Sequence, residues 1–124
     1  MDLSIVSGTY NRLPSLQAMV ASARASLCAE VIGDYVRSGI QYEIVLVDGG
    51  STDGTIDWCK AQPDVKLIEQ GELLGAIKAF NAGAFAATGT YVVLANDDIT
   101  FLDETLIKGF RHMQEHPDCG CGCF

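Results

Sequence analysis

Asn96, Asp97 and Asp98 close an apolar run, Tyr-Val-Val-Leu-Ala at residues 91–95, so that two adjacent carboxylates follow a stretch with the character of a buried strand. Parallel strands covered on both faces read as continuous apolar runs, and ligands of open α/β sheets collect at their carboxyl ends. Carboxylate and amide oxygens there suit a hard divalent cation, Mg²⁺ or Mn²⁺, which takes one or two carboxylates and completes its shell with phosphate oxygens of a substrate. Acids after a strand also occur as solvated loop residues or helix caps, and that alternative stays open at this point. A second polar cluster, Asp-Gly-Gly-Ser-Thr-Asp-Gly-Thr at residues 48–55, follows the apolar run 42–47. Its glycines permit sharp turns and close approach of a ligand, while Ser51, Thr52 and Asp53 are able to cap the next helix. It lacks the Lys and the glycine spacing of a P-loop.

Charge links the two clusters. The chain has 16 Asp and Glu against 8 Lys and Arg, a formal net charge of −8. Such a field opposes binding to phosphate backbones, so nucleic acid is not an expected partner. A diphosphate entering a carboxylate-lined crevice is repelled unless a cation lies between, and that cation also acts as a Lewis acid toward a departing nucleoside diphosphate.

The elements that position these residues alternate. A short strand at residues 3–6 leads through a turn-rich stretch to Pro14, after which Leu16, Val20, Ala23, Leu27 and Val31 recur at helical spacing. The strand 42–47, the helix 56–61 and the strand 65–68 follow, and Leu73, Ile77, Phe80 and Ala84 mark one face of a third helix whose small residues let it lie close to a sheet. After the strand 91–95, Thr100 and Asp103 form a capping box for a last helix carrying Leu106, Ile107, Phe110 and Met113, which Pro117 ends. Another strand is expected to begin at Cys119. Strands alternating with helices imply a parallel sheet with right-handed crossovers in a single α/β domain spanning residues 1–124.

Taken in order, four segments resemble family 2 glycosyltransferases of the GT-A fold: Ile-Val-Ser-Gly-Thr-Tyr-Asn-Arg at residues 5–12, Val-Asp-Gly-Gly-Ser-Thr-Asp-Gly-Thr at 47–55, Gly-Ala-Ile-Lys-Ala-Phe-Asn-Ala-Gly at 75–83, and Ala-Thr-Gly-Thr-Tyr-Val-Val-Leu-Ala-Asn-Asp-Asp at 87–98. The resemblance runs from Ser4 to Phe124 and covers the N-terminal, donor-binding half of such enzymes. It implies a three-layer Rossmann-like fold with a mostly parallel central sheet, and metal-dependent, inverting transfer of a sugar from a nucleotide-diphosphate sugar to an acceptor hydroxyl. It implies that Thr9, Tyr10, Asn11 and Arg12 lie against the base, that Asp48, Gly49 and Ser51 line the nucleoside pocket, and that Asn81 of an Asn-x-Gly signature lies near the sugar diphosphate. Asn96, Asp97 and Asp98 match the D-x-D element, with Asp98 as metal ligand for Mn²⁺ or Mg²⁺ and Asp97 or Asn96 near the ribose. Two positions depart from the pattern: Gly49 stands where many relatives carry a base-reading acid, and Phe80 where a basic residue often precedes the Asn. Lys78, one turn before Asn81, is able to supply a cation to the phosphates, the commoner alternative being a solvated lysine on a helix face. In relatives the general base and the acceptor site lie in the C-terminal half, so no residue here is assigned as base, and the acceptor, a glycan, a lipid or another hydroxyl, is not set. The same resemblance predicts a fragment whose uncovered sheet edge self-associates.

Other chemistry-bearing residues carry less. Cys119, Cys121 and Cys123 alternate as on one face of a strand, where thiolates are able to approach zinc or simply to pack as small apolar residues. Five cysteines, an odd number, favour reduced thiols over a disulfide framework. His112 and His116 are spaced to chelate on a helix, but sit at its carboxyl end, where His complements the dipole. The sequence contains no apolar stretch of membrane-spanning length and does not open as a signal peptide, so a cytoplasmic location is expected. Two other readings compete with glycosyl transfer: a non-catalytic module binding a nucleoside diphosphate or metal, and a nucleotidyltransferase, whose Gly-rich basic loop after the first strand is missing here.

Overall fold

A computed structural model describes residues 1–27, 31–32, 35–36 and 39–122. Its elements are β1 (Leu3–Thr9), α1 (Leu13–Leu27), β2 (Val31–Ile32), β3 (Tyr35–Val36), β4 (Tyr42–Asp48), α2 (Thr55–Lys60), β5 (Val65–Glu69), α3 (Ala76–Ala86), β6 (Tyr91–Leu94) and α4 (Thr105–Glu115). The main sheet has the order β5-β4-β1-β6, every pair parallel. β2 and β3 form a separate antiparallel pair.

Side-chain alternation along β1 and β4 sorts the two faces of the sheet. Leu3, Ile5, Ile44 and Leu46 join Leu16, Met19, Val20, Ala23 and Leu27 of α1, Cys59 of α2, and Leu106, Ile107 and Phe110 of α4 in one core. Val6 and Val47 face the other way, toward α3. Three layers result, as the sequence leads one to expect for a mostly parallel α/β sheet.

α3 lies close to the sheet through its smallest residues. A Cβ added at Gly83 would stand 2.3 Å from Val6 Cγ1, and one at Gly8 would stand 2.9 Å from the Ala79 Cβ. The sheet-facing residues are therefore Ala79 and Gly83, not the expected stripe of Leu73, Ile77, Phe80 and Ala84. Gly75, at φ 92°, starts the helix late and leaves Leu73 outside it, while Ile77 is 78% and Phe85 92% exposed.

Side chains lock the connections. Glu43 accepts hydrogen bonds from Ser4 Oγ (2.7 Å) and from the Thr88 backbone N–H (2.7 Å) and hydroxyl (2.9 Å), and the Gly89 N–H donates to Ser4 Oγ (2.8 Å). Burial opposes ionisation of Glu43, but these donors outweigh it and hold its carboxyl below the usual range. That network sets where β6 begins. Arg24 of α1 grips Asp64 through Nε (2.8 Å) and Nη2 (2.6 Å). With the Tyr42 hydroxyl also donating, the Arg24 bonds hold the Asp64 carboxyl below its ordinary value.

Several sequence expectations are corrected. β1 continues to Thr9 because β4 runs beside it and pairs Ser7 with Leu46, Gly8 with Val47 and Thr9 with Asp48. Val31 belongs to β2 rather than to α1, as β-branched Val31 and Ile32 favour extended backbone. Thr100 and Asp103 do not cap α4: its N-cap is Glu104 at φ 63°, and the Leu106 N–H donates instead to Ser26 Oγ of α1 at 3.0 Å. No strand starts at Cys119 among the described residues, because the chain turns there, with the Cys119 N–H on the His116 carbonyl at 2.9 Å. Cys28 and Cys123 lie outside the described residues.

Candidate functional site

The carboxyl ends of β1, β4, β5 and β6 open into a crevice of about 420 Å³, bordered on one side by the start of α3. The chain builds outward from β1 to β4 and β5, then returns to place β6 on the far side of β1. Such a reversal is where open α/β sheets bind ligands, because the connections diverge and leave the strand ends uncovered. The volume lies in the range of small-molecule sites.

Two loops form one wall and are stitched to each other. Asn11 takes a left-handed conformation, φ 47°, which Asn tolerates better than most residues. Its backbone N–H donates to Ser51 Oγ (2.9 Å), and its side-chain Oδ1 accepts the Thr52 N–H (2.7 Å). Asp48, fully buried on the Ile44–Leu46 face, accepts the N–H groups of Gly50 and Ser51, each at 2.8 Å, and the Ser51 hydroxyl. Asp53 accepts the Leu13 N–H at the start of α1 (3.1 Å) and the Thr55 N–H (3.2 Å). Of the three residues expected to cap α2, only Asp53 reaches it, and the N-cap position itself is Gly54 at φ 92°. The Gly-rich segment is thus a scaffold, and its carboxylates are occupied by backbone.

Thr9 ends β1 at the crevice with 5% exposure, and its Oγ1 is the one buried side-chain polar atom without a partner among the described residues. An unpaired buried hydroxyl costs on the order of 1–3 kcal/mol, so this position favours a ligand that bonds to it. Beside it Gly49 faces Tyr10 and Leu73: an added Cβ would meet Leu73 Cδ1 at 3.0 Å and Tyr10 Cδ2 at 3.5 Å. The bare glycine backbone therefore permits the close approach of an aliphatic side chain and an aromatic ring. Gln70, whose N–H donates to the Asp48 carbonyl at 2.9 Å, adds an amide side chain to the same crevice.

Across the crevice stand Asn96, Asp97 and Asp98. The Ala95 N–H bonds the Val6 carbonyl (3.0 Å), which carries the β1 ladder one residue past β6 and fixes where the acids emerge. Asp97 is 6% exposed, whereas the Asp98 side chain is 57% exposed. Arg12 Nη1 lies 3.4 Å from Asp97 Oδ1 and 3.8 Å from Asp98 Oδ2. Among the described residues no group of three or more His, Cys, Asp or Glu gathers in a metal-ligating cluster. The donor set is thus two carboxylates and an amide oxygen, all hard, which fits a Mg²⁺- or Mn²⁺-type ion that takes its remaining ligands from water and substrate.

Of the residues singled out from sequence, Thr9, Tyr10, Arg12, Gly49, Asn96, Asp97 and Asp98 line one crevice. Asn11, Asp48 and Ser51 lie behind its wall, bonded to one another's loops. Lys78 and Asn81 are exposed on α3 and do not line it. Gln70, Leu73, Gly75, Ala76 and Phe80 line it without having been named as site residues; their signal was their place, just after the third parallel strand. The His112 and His116 rings stack at 4.2 Å at the carboxyl end of α4, away from these residues.

The model of the family described as "Glycosyl transferase family 2" matches residues 4–124. This chain belongs to glycosyl transferase family 2. A "PGL/p-HBAD biosynthesis glycosyltransferase" of Mycobacterium bovis is 31% identical over 118 residues, covering 91% of this chain and 42% of that protein. The mannosyltransferase PcManGT of Pyrobaculum calidifontis, solved in complex with GDP-Man and Mn²⁺, superposes with a TM-score of 0.70 at 28% identity over 90% of this chain and 32% of that one. Staphylococcus aureus TarS 1-349 shares the fold, with a TM-score of 0.74 at 24% identity over 94% of this chain and 33% of its own. The chain therefore spans less than half the length of the relatives it matches. The three-layer GT-A architecture implied by its motifs is the one observed.

Proposed function

We propose that this crevice binds a nucleotide-diphosphate sugar together with a divalent cation, as the donor-binding part of a glycosyltransferase that transfers the sugar to an acceptor hydroxyl with inversion. One observation carries the reading: Asp97 and Asp98 share a crevice with the start of α3 and with the orphaned Thr9 hydroxyl. A helix N-terminus favours anions and adjacent carboxylates repel them, so a ligand using both must be an anion that arrives with a cation. A nucleoside diphosphate with Mg²⁺ or Mn²⁺ meets that requirement, and the Mn²⁺ and GDP-Man bound by PcManGT support it.

Each residue then has a task. Tyr10, Gly49 and Leu73, which line the crevice together, meet the base, and the Thr9 hydroxyl takes a hydrogen bond from the nucleoside. The first backbone N–H groups of α3, at Gly75 and Ala76, face the diphosphate. Asn96, Asp97 and Asp98 hold the cation and the ribose side, Asp98 being the more exposed carboxylate and so the readier ligand. When bound, the cation neutralises charge growing on the departing diphosphate. Deprotonation of the acceptor requires a base within hydrogen-bond reach of the hydroxyl, and no crevice residue is assigned that part.

Calorimetric titration of UDP- and GDP-sugars with and without Mn²⁺ tests this. Binding of at least one donor only in the presence of metal, lost in Asp98→Asn, is the expected result; no metal-dependent heat from any donor refutes it. Sugar transfer or donor hydrolysis by the chain separates an enzyme from a binding module. No helix among the described residues is long and apolar enough to cross a membrane. Val92 and Leu94 on the sheet's open edge strand β6 are 43% and 58% exposed, which supports self-association, readable by sedimentation velocity.

A further inference from the structure

Two arginines in this protein hold aspartates in different ways. Arg24 meets Asp64 with two nitrogens at 2.8 and 2.6 Å and also reaches the Gln62 side chain, the geometry of a fixed clamp. Arg12 places a single nitrogen between two carboxylates, 3.4 Å from Asp97 and 3.8 Å from Asp98, with its own side chain 58% exposed. Those contacts are longer than charge-assisted bonds prefer, and an exposed pair of this kind is weak. Arg12 nevertheless sits on the oxygens that a divalent cation would take, in the crevice that the α3 N-terminus also borders.

We propose that Arg12 is a displaceable counter-ion, competing with the divalent cation for Asp97 and Asp98 and pairing with the donor's diphosphate once the cation has taken them. The inference rests on the donor-site reading above. One guanidinium against two carboxylates leaves the corner at −1, enough to attract a dication but less than the −2 the acids alone would present. A dication and a guanidinium on the same oxygens repel each other, so Arg12 swings away, and its planar fork matches a phosphate bidentately where lysine offers a point charge. Arg12 therefore weakens binding of the metal alone and strengthens binding of the nucleotide once metal is present. The two ligands enter as a coupled pair.

The test measures free Mn²⁺ by its electron paramagnetic resonance signal, with and without UDP or GDP, for the wild-type chain, Arg12→Ala and Arg12→Lys. Arg12→Ala is expected to bind Mn²⁺ about two- to fivefold more tightly without nucleotide, the range of an exposed ion pair. With Mn²⁺ saturating, it should bind the nucleoside diphosphate about tenfold more weakly, as for loss of a charge-assisted hydrogen bond. Arg12→Lys should keep the wild-type Mn²⁺ affinity and lose part of the nucleotide affinity. Unchanged or weaker Mn²⁺ binding by Arg12→Ala overturns the counter-ion role and leaves the donor site standing. A wild-type chain that binds neither Mn²⁺ nor nucleotide overturns both.

Discussion

Replacing Gly83 by alanine pits helix propensity against packing, and the structure decides the sign. In an unencumbered helix the change stabilises by about 1 kcal/mol. At position 83 the new methyl lands 2.3 Å from Val6 Cγ1 and 3.3 Å from Val47 Cγ2. Val6 is fully buried in a central strand, and its β-branched side chain has little rotamer freedom with which to step aside. Overpacking of this kind costs roughly 1–3 kcal/mol, so the net expectation is a loss of about 1 kcal/mol. With a urea m-value on the order of 1–3 kcal/mol/M for a small protein, the midpoint should fall by several tenths of a molar. Because Ala79 and Phe80 line the crevice, lifting α3 should also weaken donor binding. The decisive comparison is made in a Val6→Ala background, where the struck methyl is gone. There Gly83→Ala should be neutral or stabilising, a coupling of about 1–3 kcal/mol by urea denaturation. Equal effects of Gly83→Ala in both backgrounds would refute the claim that the glycine is required by the sheet beneath it.

Three more expectations follow from particular groups. Thr9→Val removes an unpartnered buried hydroxyl and keeps the shape, so thermal stability should hold or rise while donor affinity falls about five- to tenfold; parallel melting and calorimetry read the two signs. Glu43 and Asp64 have folded pKa values below their reference values of 4.5 and 3.8, so their contribution is complete above those values and is lost as pH falls through the lower folded ones; urea midpoints should drop below about pH 4.5, less steeply in Glu43→Gln and Asp64→Asn. Burial first, and then the nearby Asp48 charge, push the Cys59 thiol up to about 11; alkylation at pH 8 followed by peptide mass spectrometry should label Cys121 in the native protein and Cys59 only after denaturation.

Periodicity and turn chemistry were enough to read the alternation of strands and helices, because apolar runs and helical spacing are written locally. The acids that end the apolar run before residue 96 were legible for the same reason, since a parallel strand must expose its carboxyl end somewhere and polar residues mark the place. Which face of α3 meets the sheet was not legible: hydrophobicity pointed to Ile77 and Phe80, whereas close approach selected Ala79 and Gly83. Capping of α4 was misread because the hydroxyl that serves it, Ser26, comes from a helix 80 residues away in sequence.

The sequence by itself determined the family, the alternation of strands and helices, and the place of Asp97 and Asp98 at the end of a strand, since each of these depends on residue type and local spacing. Tertiary structure alone decided that Thr9 is left with an unsatisfied hydroxyl, that Asn11 is tied to Ser51 and Thr52, and that Arg12 rests on both carboxylates. Those are questions of which polar atoms find partners, and partners arrive from loops 40 to 85 residues apart only when the sheet brings its strand ends together.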